Sequence, residues 1–266
     1  MNDSLANVHP DAKIGENVSI APFVTIEKDV VIGDNTVIEP NAVLMNGARI
    51  GKNCHIFPGA VIAGIPQDLK FKGEITTAEI GDNTTIREYV TVNRGTNAKG
   101  KTLIGSNCLI MSYVHVAHDC IIGNYCIMGS YAGTAGEVEM EDFAILSPGS
   151  LVHQFVRLGK NVMIQGGSKV SKDIPPYVLV GREPLRYMGL NSIGLRRKGF
   201  SQEQIEQIHN IYRVIYSKGR NTTQALEYIQ DNFESSPEQV EIINFIRDSK
   251  RGIVSGTIDE AGNAVE

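Results

Sequence analysis

Apolar residues return every six positions along much of the chain. From Ile14 the sequence divides into IGENVS, IAPFVT, IEKDVV, IGDNTV, IEPNAV, LMNGAR, IGKNCH and IFPGAV, each opening on Ile or Leu. The register lapses, returns at IGDNTT and IREYVT (80–91), lapses again, and then runs unbroken from IGSNCL at 104 to VSKDIP ending at 175. Apart from Thr134, every hexad opens with an aliphatic residue or Met, and the fifth place holds only Val, Thr, Ala, Cys, Ser or Ile. A period of six matches neither the helical 3.6 nor the strand period of 2.0. It predicts a parallel β-helix in which each hexad is a short strand plus a turn. Three hexads make one coil, and coils stack at roughly 4.8 Å. First-place residues then point inward, and fifth-place residues face a narrow interior that admits only small side chains. The second place, often Gly, is expected to turn the corner. Cys54, Cys108, Cys120 and Cys126 all fall at the fifth place and read as core fillers. Their spacing is no zinc pattern.

The two lapses predict loops thrown out from the prism, about 66–79 ("PQDLKFKGEITTAE") and about 95–103 (around "GTNAKGK"). Loops on a rigid scaffold are common homes for binding residues. The repeat fades at "DIPPYVLVGREP", where prolines mark a change of architecture. Three helical patterns follow. "SQEQIEQIHNIYRVIYSKG" opens on Ser201 as N-cap, places Ile205, Ile208, Ile211, Tyr212 and Ile215 on one stripe, and closes at Gly219. "TTQALEYIQDNF" and "SPEQVEIINFIRDS" repeat the idea. The expected organisation is a β-helix over 1–181, a helical domain over 182–252 and a small, polar, frayed tail over 253–266.

Composition narrows the function classes. The net charge of −5 gives no general pull toward nucleic acid or an anionic membrane. No apolar run approaches the ~20 residues that span a bilayer. "MNDSLANVHPDAKIG" has neither the basic nor the apolar region of a secretory signal, so a cytoplasmic location is expected. Disulfides would be out of place there.

The densest chemistry is "HVAHD", residues 115–119. Stacking by coils puts His118, Gly136 and Gln154 in one column at the third place of successive hexads. Gly136 leaves a gap beside His118 where a reacting group would sit, with its own N–H facing that gap. A titratable ring beside an uncovered N–H is what deprotonating a hydroxyl and stabilising an oxyanion require. His suits the base role because its ordinary pKa is near 6.5. Asp119 orients the ring only if the backbone turns between the two residues. His115 and His118 also read as two surface histidines on a turn, or, with His153, as zinc ligands, although His153 stands one residue out of the column.

"QDLK" (67–70), "REYVTVNRGT" (87–96), "AHDC" (117–120), "VHQF" (152–155), "DIPPYV" (173–178) and "GLRRKGFS" (194–201) resemble the UDP-N-acetylglucosamine O-acyltransferases that begin lipid A synthesis. These are hexapeptide-repeat acyltransferases with a left-handed parallel β-helix. The hand comes from the resemblance, since parallel crossovers ordinarily favour the other. The likeness runs from about Val8 to Gly252. It implies transfer of a 3-hydroxyacyl group from acyl carrier protein to the glucosamine 3-hydroxyl of UDP-N-acetylglucosamine, with no cofactor and no covalent enzyme intermediate, in a homotrimer with active sites at subunit boundaries. It makes His118 the base, Asp119 its partner and Gly136 the oxyanion donor. Asp68 and Lys70 contact sugar and acyl substrate, and His115, His153, Gln154, Asn191 and Arg197 line the nucleotide or acyl path. Gly166 matches an acyl-chain ruler position and implies room for a long chain. Glu137 departs from the His that often follows the oxyanion glycine; it accepts a hydroxyl hydrogen bond but cannot donate as a cation. Arg182, Arg186, Arg196, Arg197 and Lys198 oppose the single Glu183 between 181 and 200. That patch suits a pyrophosphate or an acidic carrier protein, or is a solvated edge. A related N-acyltransferase, a zinc carbonic anhydrase and an inactive scaffold are the competing readings.

Overall fold

The structure, a computed structural model, describes residues 5–217 and 219–256. The six-residue period becomes a prism of three sheets, parallel throughout except that Arg186–Leu190 at the end of the third pairs antiparallel with Val178–Gly181. Among the described residues, one sheet has nine strands from Asn7–Val8 to Lys169–Val170, the second eight from Lys13–Ile14 to Arg157–Leu158, and the third ten from Ser19–Ile20 to Arg186–Leu190. Most strands are two residues long. Each joins a sixth-place residue on the outer face to a first-place residue inside, as in Thr25–Ile26 and His115–Val116. The register is one coil: Thr25 pairs with Val43, and His115 with Gly133. The first-place column from Ile20 to Ile164 and the fifth-place residues, including all four cysteines, are buried. Thr134, the exception in the pattern, is also buried, and its Oγ1 meets Cys120 Sγ at 3.4 Å. Each buried aliphatic contributes about 1.5–3 kcal/mol, which accounts for stable first- and fifth-place columns without aromatics; the buried rings, among them Tyr177 and Tyr212, lie beyond the repeats.

The corners are made differently from the expectation. Left-handed backbone falls at the fourth place, at Asn35, Asn53, Tyr113 and Asp119, with φ of 58°, 53°, 62° and 59°. The second-place glycines answer another need. A Cβ on Gly33 would stand 2.6 Å from the carbonyl carbon of Gly51, and one on Gly105 2.6 Å from the Gly123 carbonyl oxygen. Coil spacing, rather than turning, excludes a side chain there.

The first excursion ends before Thr77 and the second before Lys101, because Thr77–Ile80 and Lys101–Ile104 pair over their full length. Polar composition hid these strand residues. Four helices follow: α1 (Ser192–Arg197), α2 (Gln202–Tyr216), α3 (Thr222–Asn232) and α4 (Pro237–Arg247). The short α1 was not among the helical patterns. Ser201 caps α2 in a reciprocal box with Gln204, and Asn221 caps α3 likewise. The predicted α2 stripe is buried, and from it Tyr212 Oη donates to Pro176 O at the prism end at 2.6 Å. The expected frayed tail is instead held at its start. Val254 is buried, its N–H donates to Asp173 O at 2.9 Å, and Tyr187 N–H donates to Ser255 O at 3.0 Å. The rest of that segment, 257–266, lies outside the described residues, as do the first four residues of the N-terminal stretch.

Candidate active site

His118 and Asp119 sit where a strand of the first sheet turns toward the second. Asp119 occupies the fourth place with φ 59°, and this left-handed turn lets two adjacent side chains meet. Asp119 Oδ2 lies 2.8 Å from His118 Nδ1. Asp119 is fully buried, yet accepts from Thr96 N–H at 3.0 Å, Thr96 Oγ1 at 2.7 Å and Lys99 N–H at 3.0 Å. Burial pushes its pKa up, but the hydrogen bonds from Thr96, His118 and Lys99 outweigh burial and hold it below the usual carboxylate range. An ionised carboxylate only accepts, so Nδ1 carries a proton toward Asp119, and in the neutral form of the ring the lone pair is on Nε2.

Nε2 faces a small group of residues. Asp68 Oδ2, from the first excursion, stands 4.0 Å away. A Cβ on Gly136 would lie 2.5 Å from His118 Cε1 and 2.6 Å from Nε2. The gap left by Gly136 is therefore filled by the imidazole itself rather than kept for a reacting group, a correction to the sequence reading. The Gly136 N–H donates to no described residue. Other third-place N–H groups find side-chain acceptors, as Lys52 N–H does in Asp82 Oδ1 at 2.7 Å and Ser106 N–H in Asn124 Oδ1 at 2.8 Å. His115 Nδ1 lies 2.7 Å from Thr91 Oγ1, and burial, then the nearby His118, lower its pKa.

The remaining candidates are less concentrated. Lys70 is exposed, while its backbone N–H donates to Asp68 Oδ1 at 2.9 Å. Glu137 is half-buried at a left-handed corner, and its N–H donates to His118 O at 3.0 Å. His153 and Gln154 are exposed on the next coil, with His153 Nδ1 3.2 Å from Gln154 O. Asn191 is buried as the N-cap of α1, accepting from Gly194 N–H and donating to Asn161 O. Arg197 stands exposed in the last turn of α1. Neither makes a hydrogen bond or ion pair to His118, Asp119 or Asp68. A Cβ on Gly166 would come within 3.2 Å of Pro148 O at a different corner. Arg182 and Arg196 are exposed, and Arg186 reaches Ser255 Oγ at 3.4 Å. Lys198 is also exposed as a residue but differs in its contacts: its amine lies 3.8 Å over the Phe143 ring and donates to Asn161 Oδ1, and desolvation of that amine holds its pKa down to about 8. Among the described residues no group of three or more His, Cys, Asp or Glu is placed to hold a metal ion. Sequence reasoning gave no role to Thr96 and Lys99, although Thr96 closes the motif REYVTVNRGT and both lie in an interruption of the repeat.

Residues 29–64 and 101–136 match the family described as bacterial transferase hexapeptide (six repeats), and 173–254 match the second domain of UDP-N-acetylglucosamine O-acyltransferase. An acyl-[acyl-carrier-protein]–UDP-N-acetylglucosamine O-acyltransferase from Alkalilimnicola ehrlichii is 47% identical over 95% of this chain and 98% of its own length. The enzyme of that name from Thiobacillus denitrificans is 43% identical over 94% of this chain and 97% of its own. The crystal structure of a UDP-N-acetylglucosamine acyltransferase from Bacteroides fragilis superposes with a TM-score of 0.94 at 59% identity, covering 96% of this chain and all of that one. The Francisella novicida enzyme superposes with a TM-score of 0.94 at 39% identity, covering 100% of this chain and 99% of that one. The prism is thus the left-handed parallel β-helix of hexapeptide repeats. With nearly full-length identity of this order to enzymes of one name, the chain belongs to the UDP-N-acetylglucosamine O-acyltransferase family.

Proposed function

We propose that the chain transfers a 3-hydroxyacyl group from acyl carrier protein to the glucosamine 3-hydroxyl of UDP-N-acetylglucosamine, the first step of lipid A synthesis, with His118 as general base. The observation that carries the base assignment is the buried Asp119 on Nδ1, which leaves the Nε2 lone pair turned toward Asp68 and the column of Gly136. Nε2 takes the hydroxyl proton as the sugar oxygen attacks the thioester carbonyl. The tetrahedral oxyanion is stabilised by Gly136 N–H. Collapse breaks the carbon–sulfur bond, and the imidazolium gives its proton to the departing carrier thiolate, which leaves as the free thiol. Every atom of the step comes from the two substrates, so it calls for no cofactor.

Asp68 and Lys70 are assigned to the sugar and the acyl group; His115, Glu137, His153 and Gln154 to the surface around them; Asn191, Arg197 and Gly166 to the nucleotide and acyl path. Arg182, Arg186 and Arg196 form the carrier-protein side. The same reading divides the chain into a β-helix through residue 181 and a helical domain over 182–252, places the reaction in the cytoplasm, and makes the particle a homotrimer. Support for association comes from exposed aromatic rings on one corner, Tyr89, Tyr113 and Tyr131. No helix among the described residues is long and apolar enough to cross a membrane.

The test is His118→Ala assayed with carrier-linked 3-hydroxyacyl thioesters and UDP-N-acetylglucosamine. The expected kcat loss is about 10²–10⁴-fold, the usual worth of a positioned base, with the melting temperature unchanged. A variant working at the wild-type rate would remove His118 from the base role.

A further inference from the structure

Both excursions of the coil are tied to one short segment, residues 93–96, whose sequence is NRGT. Asn93 is buried and its Nδ2 donates to Ile65 O at 3.0 Å. Arg94 N–H donates to Gly64 O at 2.9 Å, and its guanidinium lies 5.4 Å over the Phe71 ring, within the excursion that carries Asp68. Thr76 Oγ1 donates to Gly95 O at 2.6 Å. These three residues grip the first excursion. The fourth, Thr96, turns to the other side and meets Asp119.

Resting on the base assignment of His118, we propose that Thr96 is a positioning residue that fixes the Asp119 carboxylate against His118 Nδ1. Thr96 N–H reaches Oδ1 at 3.0 Å while its hydroxyl reaches Oδ2 at 2.7 Å, so one residue spans both oxygens and sets the plane of the carboxylate. The hydroxyl has no freedom to point elsewhere. Ala98 N–H donates to Thr96 Oγ1 at 3.1 Å, which leaves the Thr96 proton for Asp119. Thr96 is 8% exposed and Asp119 0%, so water does not compete for these bonds. A carboxylate free to turn about its last torsion would carry Oδ2 away from Nδ1 and release the ring. Thr96 touches no substrate in this account. It acts through Asp119, and through the same segment the His118 pair and the Asp68 excursion share one anchor.

The experiment compares Thr96→Val, which keeps the shape and loses the hydroxyl, with Thr96→Ser, which keeps the hydroxyl. Thr96→Val is expected to lower kcat about 10–100-fold, the worth of a hydrogen bond to a charged group, with KM for the sugar nucleotide changed less than about twofold. Thr96→Ser is expected within about threefold of wild type. In an Asp119→Ala background, adding Thr96→Val is expected to cost less than about twofold, because the residue it acts through is gone. A wild-type kcat in Thr96→Val, an equal loss in Thr96→Ser, or a full additive loss on top of Asp119→Ala each overturns the proposal. Should Thr96→Val fail to melt cooperatively, Thr96→Ala replaces it in the same comparison. An inactive His118→Ala beside a fully active Thr96→Val sinks only this inference; an active His118→Ala sinks the base assignment beneath it.

Discussion

One methyl group decides whether the base has a place to sit. The His118 ring occupies the volume that a side chain on Gly136 would take, within 2.6 Å of Nε2. Gly136→Ala must therefore displace the imidazole, and the ring is the more mobile partner because the coil backbone is fixed by its neighbours. We expect Gly136→Ala to fold and to lose kcat by about 100-fold or more, since small misplacements of a positioned base cost that much. Kinetics beside a thermal melt check it; wild-type kcat would mean that the ring tolerates the shift. The column of His118 and Gly136 was legible in the sequence because stacking by coils is arithmetic. Its meaning was not, because a repeat tells which residues are neighbours and not which of them fills the space. The Thr96–Asp119 contact was illegible for a different reason. It crosses an interruption of the repeat, where counting by coils fails.

Among the elements, the hexad carries most of the fold in its first and fifth places, and these were read correctly from residue type alone. Its second and fourth places were read less well. Asn and Tyr at the fourth place take the left-handed backbone that was assigned to the second-place glycines, and those glycines serve close approach of coils instead. The two roles separate by substitution. A Cβ on Gly105 would meet the Gly123 backbone, which cannot move without parting two coils. Gly105→Ala is expected to destabilise by about 1–3 kcal/mol or more. Asn107→Gly, at φ 59°, relieves a left-handed residue and is expected to change stability by less than about 1 kcal/mol. Denaturant melts of the two variants check this, and equal losses would return the corner role to the second place. The helix α1 escaped the sequence reading because six residues are too few to show a period, whereas α2 was announced by its Ser201 cap and its isoleucine stripe.

In the molecule as a whole, two features of the single chain point to partners of its own kind. Asn191 and Arg197, both implied in substrate binding by the family resemblance, make no hydrogen bond or ion pair to the His118 group within one chain. Meanwhile one corner of the prism presents a ladder of rings, with Tyr89 to Tyr113 at 5.2 Å and Tyr113 to Tyr131 at 5.0 Å between centroids. These rings are 54%, 49% and 65% exposed, on a scaffold too rigid to fold over them. Contiguous exposed rings on a soluble protein mark an interaction surface. A homotrimer is the assembly the family resemblance implies, and this ladder is the surface it is expected to bury. The expected solution mass is then three times 29.0 kDa. Tyr113→Lys, at the centre of the ladder, puts a charge into that contact. It is expected to lower the mass measured by sedimentation and to reduce kcat per chain in step, while circular dichroism keeps the β-helix signature. A Tyr113→Lys particle of unchanged mass would take the ladder out of the interface, and a fully active single chain would show that His118 needs no neighbour.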